Sequence, residues 1–268
     1  MPSTVLITGA SQGIGKATAL LFASHGYDLV LTSRNADSLA SVAQSVQNLG
    51  RSALAVPCDV KDPNQVSTLV QQALEHYGSI DVLINNAGIY MSGPVAEFSL
   101  SDWHEALDTN LWGYIHTIHA LLPQMIQRRS GTIVNVSSIG GKVPTPYLVP
   151  YCTSKFAITG LTEAMHAELK PKGIHVCGIY PNVIKSSFME RAVFRGQDAQ
   201  SRRDQLQQVV NAPIIEKPED VANAIWDGVK NQRSEVMVGS ANFSQGLYRM
   251  FPSLIQWVSR QALKNKDK

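Results

Sequence analysis

Tyr151 and Lys155 are four residues apart, a spacing that puts two side chains on one face of a helix. A phenol titrates near ~10 and is a poor proton donor or acceptor at neutral pH unless its surroundings tune it. An ammonium one turn away favours the phenolate and lowers that value. The pair is therefore suited to general acid/base work, although Tyr and Lys also meet at this spacing by chance on many helices. Ser138 follows an apolar run that ends at Val136. Its hydroxyl could hydrogen-bond a carbonyl oxygen, or it could be a turn serine. Asn110 lies inside a helical pattern that reads as buried, so its amide must find a partner or bend the helix.

A second set of residues could bind rather than react. In Thr8-Gly9-Ala10-Ser11-Gln12-Gly13-Ile14-Gly15 a strand turns into a helix. The small residues let the backbone approach a pyrophosphate, and the helix start offers free N–H groups and a positive dipole end. A plain turn needing glycine for its angles would read similarly, but the place after the first strand favours phosphate. Ser33-Arg34 closes the second strand without an acidic residue for a ribose 2′-hydroxyl. The planar fork of Arg34 suits a 2′-phosphate instead, the alternative being a solvated arginine at a helix start. Asp59-Val60 follows the third strand. Asp59 could accept from an adenine amino group or cap the next helix, although Asp62 before Pro63 fits the cap better. Asn85-Asn86-Ala87-Gly88 either lets the backbone lie against a flat ligand or forms an Asn-stabilised turn.

These groups act together only if the chain gathers them, and the hydrophobic pattern indicates how. Short β-branched runs at residues 5–8, 28–33, 53–57, 80–84, 132–136, 175–179 and 236–238 read as strands. Helical patterns cover residues 13–25, 36–49, 63–77, 101–128, 151–169 and 218–230. This alternation specifies an α/β fold, a Rossmann-type doubly wound parallel sheet of about seven strands with helices on both faces. No linker or repeat interrupts it, so residues 1–240 read as a single domain. In such sheets ligands bind at the carboxyl ends of the strands, where the glycine turn, residues 85–88 and residues 137–138 all fall.

Composition narrows the classes. The chain has 268 residues, 44% of them hydrophobic, which suits one α/β domain with a sizeable core. The net charge is +2 with no basic stripe, which argues against nucleic acid as a partner. Cys58, Cys152 and Cys177 form no CxxC pair, so buried thiols in a reducing compartment are expected rather than disulfides or a metal site. No uncharged apolar run reaches the ~20 residues of a membrane span, and Val5-Leu6-Ile7 leads into a glycine turn rather than a signal peptide. A cytosolic protein is expected.

Taken together the motifs resemble those of the short-chain dehydrogenase/reductase family over about residues 5–238. Residues 8–15 look like its TGxxxGxG, residues 85–88 its NNAG, and Tyr151 to Lys155 its YxxxK. Ser138 stands thirteen residues before Tyr151, as in the family, and Asn110 matches the fourth catalytic position. The resemblance implies that Tyr151 exchanges a proton with a carbonyl or alcohol oxygen and that Ser138 orients that oxygen. Lys155 would bind the nicotinamide ribose and lower the Tyr pKa, and Asn110 would hold a relay water. It also implies a small carbonyl or alcohol substrate, no metal, and a homodimer or homotetramer. With Arg34 where an acidic residue would select NAD(H), NADP(H) is the expected cofactor. Competing readings are a cofactor-binding regulatory protein on the same fold, an NAD-preferring hydroxysteroid or sugar alcohol dehydrogenase, and an epimerase or dehydratase of the extended branch. The intact set of four argues against the first. The GxxxGxG spacing and the short chain argue against the last.

The family's Pro-Gly after the sixth strand is Pro181-Asn182 here, with Ser186 in the usual Thr position. Asn tolerates left-handed backbone better than most residues, so the turn is expected to survive. The matching cofactor contacts would be Pro181, Ile184 and Ser186. In the family the stretch from Lys185 to Pro213 caps the substrate. Phe188, Met189 and Phe194, with Tyr90, Val143, Pro144, Tyr147 and Leu148, would give an apolar lining. Residues 241–268 form an amphipathic tail in which Leu247, Met250, Phe251, Leu254, Ile255, Val258 and Ala262 recur at helical spacing around Pro252. Packing on the domain or a partner subunit is the favoured expectation. A membrane-surface or gating helix, suggested by Arg249, Arg260 and Lys264, is the alternative.

Overall fold

The computed structural model describes residues 3–185, 192–212, 215–253 and 257. The chain runs β1 (Thr4–Thr8), α1 (Gly13–Ser24), β2 (Asp28–Ser33), α2 (Ala36–Asn48), β3 (Ala53–Pro57), α3 (Pro63–Tyr77) and β4 (Val82–Asn85). It continues through β5 (Met91–Ser92), α4 (Leu100–Leu107), a π-helical turn (Asp108–Trp112), α5 (Gly113–Arg128), β6 (Gly131–Val136), α6 (Val149–Leu169) and β7 (Ile174–Tyr180). The last described elements are β8 (Val193–Phe194), α7 (Ala199–Val210), α8 (Pro218–Lys230), β9 (Glu235–Met237) and α9 (Ala241–Met250).

Seven parallel strands form one sheet in the order β3-β2-β1-β4-β6-β7-β9. Each apolar run is divided by the period of two. Val5 and Ile7, Leu29 and Leu31, and Cys177 and Ile179 pack on one face beneath α1, α2 and α8. Leu6, Val30 and Val176 pack on the other beneath α3, α5 and α6. Both faces are therefore covered, which is why these strands show no polar alternation. Between β1 and β4 the winding direction reverses, and a crevice opens there at the carboxyl ends.

Helix starts follow local chemistry. The Asn35 side chain accepts from Ser38 N at α2, and Asp62 accepts from Asn64 N and Gln65 N ahead of Pro63 at α3. Three details depart from the pattern-based expectation. The helix over residues 101–128 is broken by the π turn that carries Asn110. Helix α6 begins two residues before Tyr151, at Val149 with Pro150 in its first turn. In the stretch expected to cap the substrate, to which the pattern assigned no strand or helix, β8 pairs in parallel with β5, and α7 follows it.

Candidate active site

The glycine turn is held by close approach and by hydrogen bonds to the neighbouring loop. Gly9 has φ +66, and a side chain there would meet Ala87 Cα at 3.0 Å. Gly15 lies so close to Gly9 O that a Cβ would sit 2.2 Å from it. Gly15 thus allows α1 to pack closely against the turn. Thr8 Oγ1 accepts from Asn86 N (2.9 Å) and Ala87 N (3.0 Å), and Asn86 Nδ2 donates to Thr8 O (2.9 Å). The ends of β1 and β4 are thereby stitched into one ledge.

The crevice has a volume of about 410 Å³. Gly9, Ser11, Gln12, Gly13, Ile14, Ser33, Arg34, Asp59, Val60, Asn86, Ala87, Gly88, Ser138, Tyr151, Lys155, Pro181 and Ile184 all line it, as expected from the sequence. Cys58, Ile89, Thr109 and Asn182 line it too. Ser186, Phe188 and Met189 lie outside the described residues. No side chain caps the N-terminus of α1, and its first turn carries no acidic residue. Its N–H groups are aligned for an anion. Beside it, Arg34 has no carboxylate partner among the described residues, while Asp59 salt-bridges Lys61 at 3.8 Å. Asp62, not Asp59, is the cap of α3. Thr109 Oγ1 is buried without a partner on the crevice wall. An uncapped helix start, an arginine at the end of β2 and an orphaned hydroxyl are the features that a phosphorylated dinucleotide would satisfy.

At the far end the reactive side chains converge. Tyr151, Ser138 and Lys155 are all buried. The Ser138 hydroxyl lies near the Tyr151 phenol and lowers its pKa. Lys155 Nζ donates to Val136 O at 3.0 Å and lies 5.9 Å from the centre of the Tyr151 ring. Helix α6 is held there by polar groups that sequence patterns did not single out. Ser137 Oγ donates to Lys155 O (3.0 Å), and Ser154 Oγ donates to Tyr151 O (2.7 Å). Tyr114 Oη donates to Val136 O, the same carbonyl that receives Lys155. Ser137 and Tyr114 reach partners 18 and 22 residues away, which local sequence does not mark, whereas Ser154 bonds within its own helix.

Asn110 is fully buried, and its amide does both things expected of it. It pairs with the Ile89 backbone, accepting from Ile89 N (2.8 Å) and donating to Ile89 O (3.0 Å). It also donates to Ser154 Oγ (3.0 Å), and it sits in the π turn. Asn110 therefore ties the β4 loop to α6 rather than lining the crevice.

Burial dominates the titration of both Tyr151 and Lys155. Burial is the largest influence and pushes the phenol up to about 12; the Ser138 hydroxyl pulls it down, and Cys152 raises it. Burial also pulls the Lys155 ammonium down to about 7. Two adjacent desolvated groups each favour their neutral form, so the amine loses much of the charge that would stabilise a phenolate.

The rim is made by the segment after β7. Pro181 O accepts from Ile139 N at 2.8 Å, and Ile184 forms a parallel bridge with Glu216. Asn182 does not adopt positive φ in the Pro-Asn turn. Its side chain instead donates to Ser240 Oγ at 2.7 Å, at the start of α9. The Tyr90 ring lies 5.1 Å from that of Tyr151 and 6.5 Å from that of Phe194. These are two of the expected apolar wall residues. Tyr147 has φ +64, an uncommon conformation for a bulky side chain, with the Arg202 guanidinium 5.2 Å from its ring. Arg195 holds Asp102 on α4 through two hydrogen bonds, of 2.6 and 3.1 Å. Cys58, Cys152 and Cys177 are buried free thiols, and no cluster able to hold a metal occurs among the described residues.

Comparison with known proteins agrees with this geometry. The short chain dehydrogenase family model matches residues 3–198. The ketoacyl reductase HetN of Nostoc sp. is 35% identical over 250 residues, which is 92% of this chain and 82% of that protein. A 3-oxoacyl-[acyl-carrier-protein] reductase FabG of Staphylococcus aureus is 32% identical over 92% of this chain and 99% of its own length. Among solved structures, a short-chain dehydrogenase/reductase from Burkholderia phymatum in complex with NAD superposes with a TM-score of 0.88 at 26% identity. It covers 94% of this chain and 95% of its own. One from Sphingobium yanoikuyae in complex with NADPH gives 0.77 at 26% identity, over 99% and 96%.

Proposed function

The chain belongs to the short-chain dehydrogenase family of oxidoreductases, and from that premise we propose that it is an NADP(H)-dependent carbonyl reductase of the ketone or ketoacyl type. One observation carries the role of Tyr151: the phenol is buried beside Ser138 in the crevice and is protonated at neutral pH. A phenol in that state is a general acid, ready to give its proton to a carbonyl oxygen.

When bound, the dinucleotide supplies the hydride that reduces the carbonyl carbon. The chain does the rest. The α1 N-terminus and the turn at Gly9–Gly13 hold the pyrophosphate, and Arg34 pairs with the 2′-phosphate. Asp59 and Val60 face the adenine, and Asn86, Ala87 and Gly88 back the crevice behind the ribose. Pro181 and Ile184 cover the nicotinamide end. Ser138 donates to the substrate oxygen and orients it toward Tyr151, whose proton moves to that oxygen as the alcohol forms. Lys155 binds the ribose hydroxyls and returns a proton to Tyr151. Asn110 acts by positioning α6 against the β4 loop.

Two relatives named as ketoacyl reductases support a ketoacyl or related carbonyl substrate. The ring of Tyr90 beside Tyr151, with Phe194 beyond it, supports an apolar group next to the carbonyl. The test is consumption of NADPH against a panel of simple ketones, ketoesters, 3-ketoacyl thioesters, sugars and ketosteroids. Turnover is expected with an apolar ketone or ketoacyl compound, faster with NADPH than with NADH. Tight cofactor binding without turnover of any carbonyl would replace this reading with that of a non-catalytic binding protein.

A further inference from the structure

Strands β5 and β8 are each two residues long, and a two-stranded ribbon of that size is marginal by itself. Around them the backbone contributes Val193 N to Tyr90 O (2.9 Å) and Arg195 N to Ser92 O (3.0 Å). Yet this short ribbon decides where the Phe194 ring lies against Tyr90, and the Tyr90 ring is 5.1 Å from that of Tyr151. A wall so close to the reacting phenol needs a firmer hold than two backbone bonds.

Arg195 supplies it. Directly after β8, its Nη2 donates to Asp102 Oδ1 at 2.6 Å and its Nε to Asp102 Oδ2 at 3.1 Å. This is the planar two-point pairing that arginine makes and lysine does not. The Asp102 side chain is only 9% exposed, so salt screens the pair poorly from that side. Arg195 also keeps the Asp102 carboxyl below the usual carboxylate range. The anchor itself is fixed to the floor of the site. Asp102 accepts from Ser99 N (3.0 Å) and Ser99 Oγ (2.9 Å) in the cap of α4, and α4 packs against α6, the helix of Tyr151. Two more contacts tighten the joint. A Cβ at Gly93 would lie 2.8 Å from Arg195 O, so the chains approach as closely as glycine permits. The same carbonyl accepts from Arg202 Nη2, and the Arg202 guanidinium lies against the Tyr147 ring.

We infer that Arg195 is a positioning residue for substrate selection. Its pairing with Asp102 seats β8 on β5 and so fixes the gap between Phe194 and Tyr90 that receives the group beside the carbonyl. Arg195 acts through those two rings and not on the reacting atoms. The selective role rests on the proposed reduction at Tyr151, whereas the latch itself does not.

The test uses the full chain and two variants. Arg195→Met keeps an apolar stem and removes the pair, and because the Arg195 side chain is 43% exposed it should leave thermal stability and NADPH affinity near wild type. Hydrogen exchange of the segment holding the Val193 and Arg195 amides should speed up by about tenfold. KM for a ketone with a bulky apolar substituent should rise by about tenfold, with kcat and the KM for acetone within about twofold. Arg195→Lys, which keeps the charge, should recover part of both effects. Gly93→Ala leaves the pair in place but forces the strands apart, and should reproduce the selective rise in KM. Unchanged exchange in Arg195→Met would overturn the inference whatever the turnover. Equal changes in KM for small and bulky ketones, or a Gly93→Ala variant with wild-type selectivity, would also overturn it. A wild type that reduces no carbonyl would instead remove the proposed reaction, and exchange alone would then decide the latch.

Discussion

The floor of the crevice and its rim are built differently. On the floor, Asn85 Nδ2 donates to Asn135 Oδ1, Asn135 Nδ2 to Thr162 Oγ1, and Thr117 Oγ1 to Asn85 Oδ1. This buried network joins β4, β6, α5 and α6 beneath Tyr151 and Lys155. One buried floor hydroxyl, Thr109, lacks a partner, and it faces the crevice. Among its described residues the rim, from Asn182 through α9, includes two buried polar nitrogens without partners, on Arg202 and Gln245, and it packs against the left-handed Tyr147. A fully paired network fixes geometry closely, whereas unpaired groups and strained backbone leave a region easier to rearrange. The floor is thus suited to chemistry common to many substrates, and the rim to choosing among them.

Substitutions can break or sharpen this contrast. The largest effect is expected on the floor. Tyr151→Phe should lower kcat by roughly 10²- to 10⁴-fold for every substrate, with the NADPH dissociation constant nearly unchanged by titration calorimetry. Unequal losses among substrates would blur the division.

Lys155 tests the floor through pH. Burial lowers its folded-state pKa to about 7, below the ordinary lysine value. Between those two values the unfolded chain holds a proton that the native chain does not. This contribution to stability is therefore fully present above the ordinary lysine value, falls as pH drops toward about 7, and is constant below it. Urea midpoints measured from about pH 10 down to about pH 7 should fall for the wild type relative to Lys155→Met, by a difference on the order of a few kcal/mol. Parallel curves would mean that the ammonium is solvated.

Arg34→Asp comes next. Losing a charge-assisted pair and adding a like charge should weaken NADPH by about 10- to 100-fold relative to NADH. Competitive binding assays would show it, and an unchanged ratio would remove Arg34 from the site. The smallest effect belongs to the rim. Asn182→Gly removes one half-exposed hydrogen bond to Ser240, worth about 0.5–1.5 kcal/mol. It should shift KM differently from one substrate to another while kcat stays within about twofold. A uniform fall in kcat would place Asn182 with the floor.

Much of the floor was legible before any coordinates. Seven apolar runs with β-branched residues marked the strands, because burial on both faces leaves no room for polar alternation. The glycine turn, Asn86 to Gly88, Ser138 and Tyr151 to Lys155 were legible because each sits directly after a strand or on one helix face. The β5–β8 pair was not, since each strand is two residues long and shows no period. Nor was the change of role at Asn182, whose partner is 58 residues away.

The sequence by itself determined the sheet, its winding and the set of polar residues delivered to its carboxyl edge, because periodicity and turn chemistry are local properties of the chain. Only the tertiary structure decided how those residues behave. It turned Asn110 into a brace between the β4 loop and α6, and it gave Gly15 to helix packing. It raised the Tyr151 pKa and lowered that of Lys155, and it left Phe243 and Met250 facing outward. Each of these depends on which distant groups surround a side chain and how much water they exclude, and neither quantity is written in the spacing of residues along the chain.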